Sequence, residues 1–189
     1  MGDRVMAASS GLLLLLTAAI AAVRAAQEGA YGPSPDDDIM KGLKRSVIFK
    51  PDSGENWTDT YPCNWISSVD CNKDHSGTLR VTMIRFWGML DGGTLPANLE
   101  SLTELEEFDG SSNNLAGEIP NFADSVSYLG LGDNQFTSIS PGLFHSKPNL
   151  SEVELSHNAR LAPWEIPPAL NNIVTYVQFL NMCYSDITL

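Results

Sequence analysis

Val126-Ser127-Tyr128-Leu129-Gly130-Leu131-Gly132-Asp133-Asn134 is one copy of a phrase that recurs along the chain. Two further blocks, Leu105-x-x-Phe108-x-Gly110-x-x-Asn113 and Leu150-x-x-Val153-x-Leu155-x-x-Asn158, align with it. Weaker blocks flank these, Val81-x-x-Ile84-x-Phe86-x-x-Met89 before and Val174-x-x-Val177-x-Phe179-x-x-Met182 after. Positions 89, 113, 134, 158 and 182 lie 24, 21, 24 and 24 residues apart. A fixed period in this range marks a solenoid. In Leu129-x-Leu131 the apolar side chains alternate and so share one face of a short strand. No single block can bury that face, so neighbouring coils must stack on it. The asparagine that follows each strand is expected to satisfy backbone groups of adjacent coils, because an unpaired buried amide costs roughly 1–3 kcal/mol.

The phrase is that of the leucine-rich repeat, L-x-x-L-x-L-x-x-N-x-L. It predicts an α/β solenoid, a right-handed superhelix with about five short parallel strands on its concave face. The block tails repeat as well: Gly93-Thr94-Leu95-Pro96 and Gly117-Glu118-Ile119-Pro120 share one offset, and Ile166-Pro167 closes a later block. Met89 and Met182 stand where asparagine belongs, so an outer coil is expected to be irregular. Gly110 takes the place of a core leucine.

Four domains follow from the pattern. Residues 1–25, with Arg4 ahead of an apolar run from Leu12 to Val23, read as a secretory signal peptide. That run is too short for the roughly 20 residues of a membrane span, and no later segment offers one. Residues 26–35 form a loose leader, residues 36–80 an N-terminal cap, and residues 81–189 the repeats, about five with the last incomplete. In the cap, Ile39, Leu43 and Val47 recur every four residues behind Asp36-Asp37-Asp38 and alongside Lys41, Lys44 and Arg45, which suits a short helix. Trp57 and Tyr61-Pro62-Cys63-Asn64-Trp65 follow. Secretion permits disulfides, and Cys63 and Cys71, close together before the first repeat, are expected to pair. Cys183 is left as a buried thiol or as the half of a pair whose partner lies beyond Leu189. Asn56-Trp57-Thr58 and Asn149-Leu150-Ser151 are glycosylation sequons.

Trp57, Cys63-Asn64-Trp65 and Cys71 resemble the cap of plant extracellular leucine-rich-repeat proteins, and the G-x-I/L-P tails look like the plant repeat class. The likeness extends to the ectodomain of TMK-type leucine-rich-repeat receptor-like kinases. Gly93-Thr94-Leu95-Pro96-Ala97-Asn98-Leu99, Phe136-Thr137-Ser138-Ile139 and Pro163-Trp164-Glu165-Ile166-Pro167 carry it. The resemblance implies a ligand- or co-receptor-binding ectodomain without its membrane and kinase parts, expected to be a fragment or truncated product. It implies a peptide or protein partner, another leucine-rich-repeat ectodomain included. The second function weighed is a free secreted enzyme inhibitor resembling the plant polygalacturonase inhibitors. The expected location is the extracellular apoplast, or the plasma membrane if the natural chain continues into a span.

Composition narrows the partners. The chain has a formal charge of −12, and residues 86–146 hold nine acidic side chains and no lysine or arginine. Nucleic acid and anionic lipid are poor partners for such a charge, whereas a basic peptide or protein is electrostatically acceptable. No kinase signature, metal-ligand spacing or nucleophile elbow occurs, so neither enzyme activity nor a cofactor is expected. If the core residues point inward, the residues between them face outward on the concave surface. Sorted by column, the candidate binding residues are Glu107, Tyr128, Glu152 and Tyr176; Arg85, Asp109 and Glu154; Trp87; and Asp133 and His157. The carboxylates form an acidic lattice around a gap expected at Gly130 and Gly132, and the aromatic residues are candidate anchors.

Overall fold

The computed structural model describes residues 33–54, 57–65, 67–145 and 147–164, together with the backbone strand Tyr176–Gln178. The expected signal peptide, most of the leader, Asn56, Ile166-Pro167, Met182 and Cys183 lie outside the described residues. The described chain begins with helix α1 (Asp37–Ser46) and strand β1 (Val47–Phe49), then a 3₁₀ turn at Pro62–Asn64. β2 (Val69–Lys73), β3 (Leu79–Arg85), β4 (Leu90–Thr94) and β5 (Glu107–Asp109) follow. Then come β6 (Leu115–Ile119), β7 (Tyr128–Gly130), β8 (Gln135–Ile139), β9 (Glu152–Glu154) and β10 (Tyr176–Gln178).

The strands form two sheets, one on each side of the coils. The first runs in the order β10-β9-β7-β5-β3-β2, and its members from β3 to β10 pair in parallel. These are the five strands that the period predicts. The second runs β1-β4-β6-β8; β4 and β6 come from the Gly-containing tails, β8 from the glycine-free stretch Gln135–Ile139, and β1 from the cap. Sequence reading marks those tails as a repeat feature but not as strands, because Leu90-Asp-Gly-Gly-Thr94 lacks strand propensity. Stacking overrides that weak propensity, since each tail hydrogen-bonds to its copy in the next coil. The helical contribution among the described residues is α1 plus single 3₁₀ turns.

Between the sheets lies the predicted core. Leu105, Phe108, Val126, Leu129, Leu131, Leu150, Val153 and Leu155 are all buried in one apolar cluster. An aromatic file runs through it: Trp57 to Phe86 at 6.2 Å, Phe86 to Phe108 at 5.3 Å and Phe108 to Phe122 at 4.9 Å, each edge-to-face. Such pairs add about 0.5–1.5 kcal/mol each beyond the area they bury. The file also explains Gly110. A Cβ at that position would lie 3.0 Å from Phe86 and 3.2 Å from Phe108, so two phenyl rings already fill the space of the missing leucine.

Asparagine joins one coil to the next. Asn134 Oδ1 accepts from the Leu115 amide of the preceding coil, and its Nδ2 donates to Gly110 O of that coil and to Leu131 O and Gly132 O of its own. Asn113 does the same for Leu90 and Phe86, and Asn158 for Phe136 and Leu131. Every link reaches backward. The first coil has no coil behind it, so a residue at 89 has no such groups to satisfy, and Met89 packs against the core instead.

The cap covers that first end. β1 runs antiparallel along β4 and β2 antiparallel along β3, so on this side the repeat strands of both sheets are covered by cap strands. Trp57 stacks on Trp65 at 4.5 Å and seals the apolar end. Cys63 and Cys71 form a disulfide. Asp36, fully buried, accepts two bonds from Arg80 and one from the Val81 amide, tying the start of α1 to β3. The helix differs from the period-four reading at its end. Met40 and Leu43 are its fully buried apolar residues, and Val47 belongs to β1.

Asn134→Ala is expected to destabilise the fold by roughly 3 kcal/mol, because it leaves buried backbone groups of two coils unpaired. Urea unfolding measures this, with Asn114→Ala, one residue from a ladder position but exposed, as the control. Equal midpoints for the two variants would refute the ladder's role.

Candidate concave binding face

The register of the first sheet fixes the columns. Glu107 lies opposite Met83 and Tyr128, Tyr128 opposite Glu152, and Glu152 opposite Tyr176. The next column is Arg85, Asp109, Gly130, Glu154 and Gln178. Neighbouring members of a column are therefore separated by about 4.8 Å, the interstrand distance.

Strands β3, β5, β7 and β9 leave the sheet through a residue with left-handed backbone: Gly88, Ser112, Asp133 and His157, with φ of 66°, 58°, 54° and 57°. Asparagine, aspartate and histidine tolerate this region better than most L-residues. The turn sets the asparagine inward and leaves Asp133 and His157 exposed at the margin of the face.

The acidic lattice divides into two parts. Arg85 reaches across to Glu107 through Nε and through Nη2, the latter at 2.7 Å, so the first pair of charges is neutralised on the spot. Hydrogen bonding to Glu107 raises the Arg85 pKa above its ordinary value, with the glutamate's charge adding to the effect. Asp109, Asp133, Glu152 and Glu154 have no cationic partner among the described residues, whose ion pairs are Arg80–Asp36, Arg85–Glu107 and Lys147–Asp124. The uncompensated charge therefore sits on the strands from β5 to β9.

The expected gap at the glycines is occupied. The Tyr128 hydroxyl lies 2.8 Å from where a Cβ of Gly130 would stand, and Asp109 Oδ1 lies 2.9 Å from it. The Glu154 carboxylate lies directly over Gly132, where any Cβ would collide with it. Ser156 Oγ donates to that carboxylate from the same coil, and Ser111 Oγ approaches at 3.5 Å from two coils away. These two serines complete the arrangement. They belong to one outward column, but side-chain geometry was needed to show that both aim at Glu154.

Burial raises the Tyr128 pKa to about 12, with Asp109, Glu152, Glu154 and Glu107 adding negative charge around it. At neutral pH the phenol is a proton donor amid carboxylates. Trp87 is 63% exposed, an apolar side chain at the end of β3. It makes no ring contact with Tyr128 among the described residues, so the two candidate anchors stand apart. Tyr176 takes its register position in β10; its side chain lies outside the described residues. Asn149 is exposed on the turn before β9.

No family model matches the chain. The chain is similar to the receptor-like kinase TMK2 of Arabidopsis thaliana, with 33% identity over 176 residues, covering 92% of this chain and 18% of that relative. It spans less than a fifth of the length of the curated relatives it matches. Two solved structures from the same plant share the fold. One is the leucine-rich-repeat ectodomain of the membrane receptor kinase GASSHO1/SCHENGEN3 in complex with CASPARIAN STRIP INTEGRITY FACTOR 2. It has a TM-score of 0.61 and 27% identity, and the match covers 74% of this chain and 17% of that one. The other is the BIR2 ectodomain, with a TM-score of 0.60 and 25% identity over 76% of this chain and 77% of that one.

The raised Tyr128 pKa yields a titration. The folded phenol is expected to ionise near pH 12, against about 10 in the unfolded chain. Its contribution to stability is complete below about pH 10 and is lost as pH rises towards 12, because only the unfolded chain releases the proton in that window. Difference absorbance of the phenolate, taken against Tyr128→Phe, reads it. Ionisation of Tyr128 near pH 10 would contradict the described environment.

Proposed function

We propose that this chain, a leucine-rich-repeat solenoid whose relatives are TMK-type receptor-like kinases of plants, binds a peptide or protein outside the cell. The reading places it in the apoplast, or at the plasma membrane where the natural chain continues into a span. The described residues contain no helix long and apolar enough to cross a membrane. The module works by binding and carries no catalysis of its own. A kinase activity would belong to a longer chain.

One observation carries this reading. The concave sheet presents Asp109, Asp133, Glu152 and Glu154 with no cation to pair them among the described residues, on strands held in strict register. Such a face is a rigid array of acceptors waiting for donors. A lysine or arginine of a basic or amphipathic peptide, or of a partner ectodomain, would meet charge-assisted bonds there at little cost in reorganisation. Structural likeness supports the same reading, since one neighbour is a receptor ectodomain solved in complex with another factor. No specific observation favours the enzyme-inhibitor alternative.

Neutralising the acceptors tests the proposal. Glu152→Gln with Glu154→Gln is expected to weaken capture of a basic partner at least tenfold, equivalent to a loss of about 1.4 kcal/mol. Rising salt should weaken capture by the native chain more steeply than by this variant. Glu118→Gln, exposed on the other sheet, serves as control and should leave affinity unchanged. Equal affinity of all three proteins for basic ectodomains and peptides, measured by biolayer interferometry, would overturn the acidic-face reading.

A further inference from the structure

The sequon Asn149-Leu150-Ser151 is a feature that the binding face does not account for, and its position is informative. The coils of β5, β7 and β9 each enter the concave strand through a four-residue turn. The backbone bonds Leu105 N to Leu102 O, Val126 N to Ala123 O and Leu150 N to Lys147 O close these turns. In the last turn Pro148 takes the second position, where its fixed φ is favourable, and Asn149 takes the third. The turn throws Asn149 outward while Leu150 plunges into the core, 5% exposed. Glu104 and Ser125 hold the corresponding place in the two preceding coils. Asn149 alone of the three is the asparagine of a sequon.

We infer that Asn149 carries an N-linked glycan, placed on the rim where the concave strands begin. The inference rests on the extracellular reading, because the transfer occurs in the secretory pathway. The donor is a lipid-linked oligosaccharide. Its anomeric carbon leaves the pyrophosphate carrier and bonds to Asn149 Nδ2, which gives up one proton, and the carrier departs as lipid pyrophosphate. The linked amide keeps one N–H. Asn149 Nδ2 donates to Asp124 O at 3.3 Å, and the remaining hydrogen suffices for that bond. Ser151 Oγ, the other sequon member, is exposed and donates to Ser127 O at 3.0 Å, holding this turn against the preceding coil.

The glycan's position has a consequence for access. Asn149 lies three residues before Glu152, so the sugar rises beside the first acidic column at its strand-start side. Trp87, Asp133 and His157 stand at the opposite, strand-exit side. A glycan there would crowd a partner's approach to Glu152 from the strand-start side and leave the strand-exit side open.

The test uses the full chain in plant cells, once with its own N-terminus and once behind a heterologous secretion signal. The secreted protein is digested with and without peptide-N-glycosidase A, and the peptide bearing Asn149 is read by mass spectrometry. Expected is conversion of Asn149 to aspartate by the enzyme, absent in Asn149→Gln and Ser151→Ala, and retained in Ser151→Thr. Secreted chain with an unmodified Asn149 overturns the inference, and needs no variant to fold. Failure of the native N-terminus to deliver the chain outside the cell, while the forced route still yields the glycan, overturns the extracellular reading alone.

Discussion

The backward-reaching asparagine is the constraint from which the rest of the structure follows. Asn113, Asn134 and Asn158 each bind carbonyl oxygens of two coils and an amide of the earlier one. All three are buried, so the bonds form where water cannot replace them. A slip of one residue between coils would break the set together. The ladder thus fixes the same register that the concave sheet displays, and the outward columns inherit it. Direction matters as much as strength. Because the links point towards the N-terminus, the first coil dispenses with its asparagine and the cap closes that end by other means. Those means are two antiparallel strands, stacked tryptophans and the Asp36–Arg80 pair.

Much of this was legible in the chain. Period and alternation give the five parallel strands, the buried core and the membership of each outward column. They do so because the strand repeat of two and the coil repeat are geometric, and stacking leaves them no alternative. The second sheet was not legible. Two of its strands, β4 and β6, come from the Gly93 and Gly117 tails that read as turns, and they become strands only when a neighbouring coil pairs with them. The cap helix was legible in position but not at its end, where Val47 obeys the helical spacing yet pairs with Gly93 in a sheet.

Side-chain pairing across coils was the least legible level. A column places Arg85 beside Asp109 and Glu107 beside Tyr128, yet Arg85 selects Glu107, which lies in the neighbouring column. The same holds for the glycines. Sequence suggests an empty slot at Gly130 and Gly132, whereas the slot is where Tyr128 and Glu154 rest. Rotamer choice decides both, and one sequence carries no record of it.

That occupancy bears on how the face can bind. Glu154 accepts hydroxyl bonds from Ser156 and Ser111 while remaining half-exposed, so it is oriented without being neutralised. Tyr128, kept protonated beside four carboxylates, supplies a donor without adding to their repulsion. Glu154 is thus held by neutral hydroxyls, and Asp109, Asp133, Glu152 and Glu154 keep no cationic partner among the described residues. On the proposed reading, a cationic side chain would find these acceptors unpaired and could form charge-assisted bonds with them. The Arg85–Glu107 pair shows the effect of the alternative. There an internal cation already holds the carboxylate, so on the proposed reading Glu107 would have less to offer a basic partner than the unpaired carboxylates beyond it.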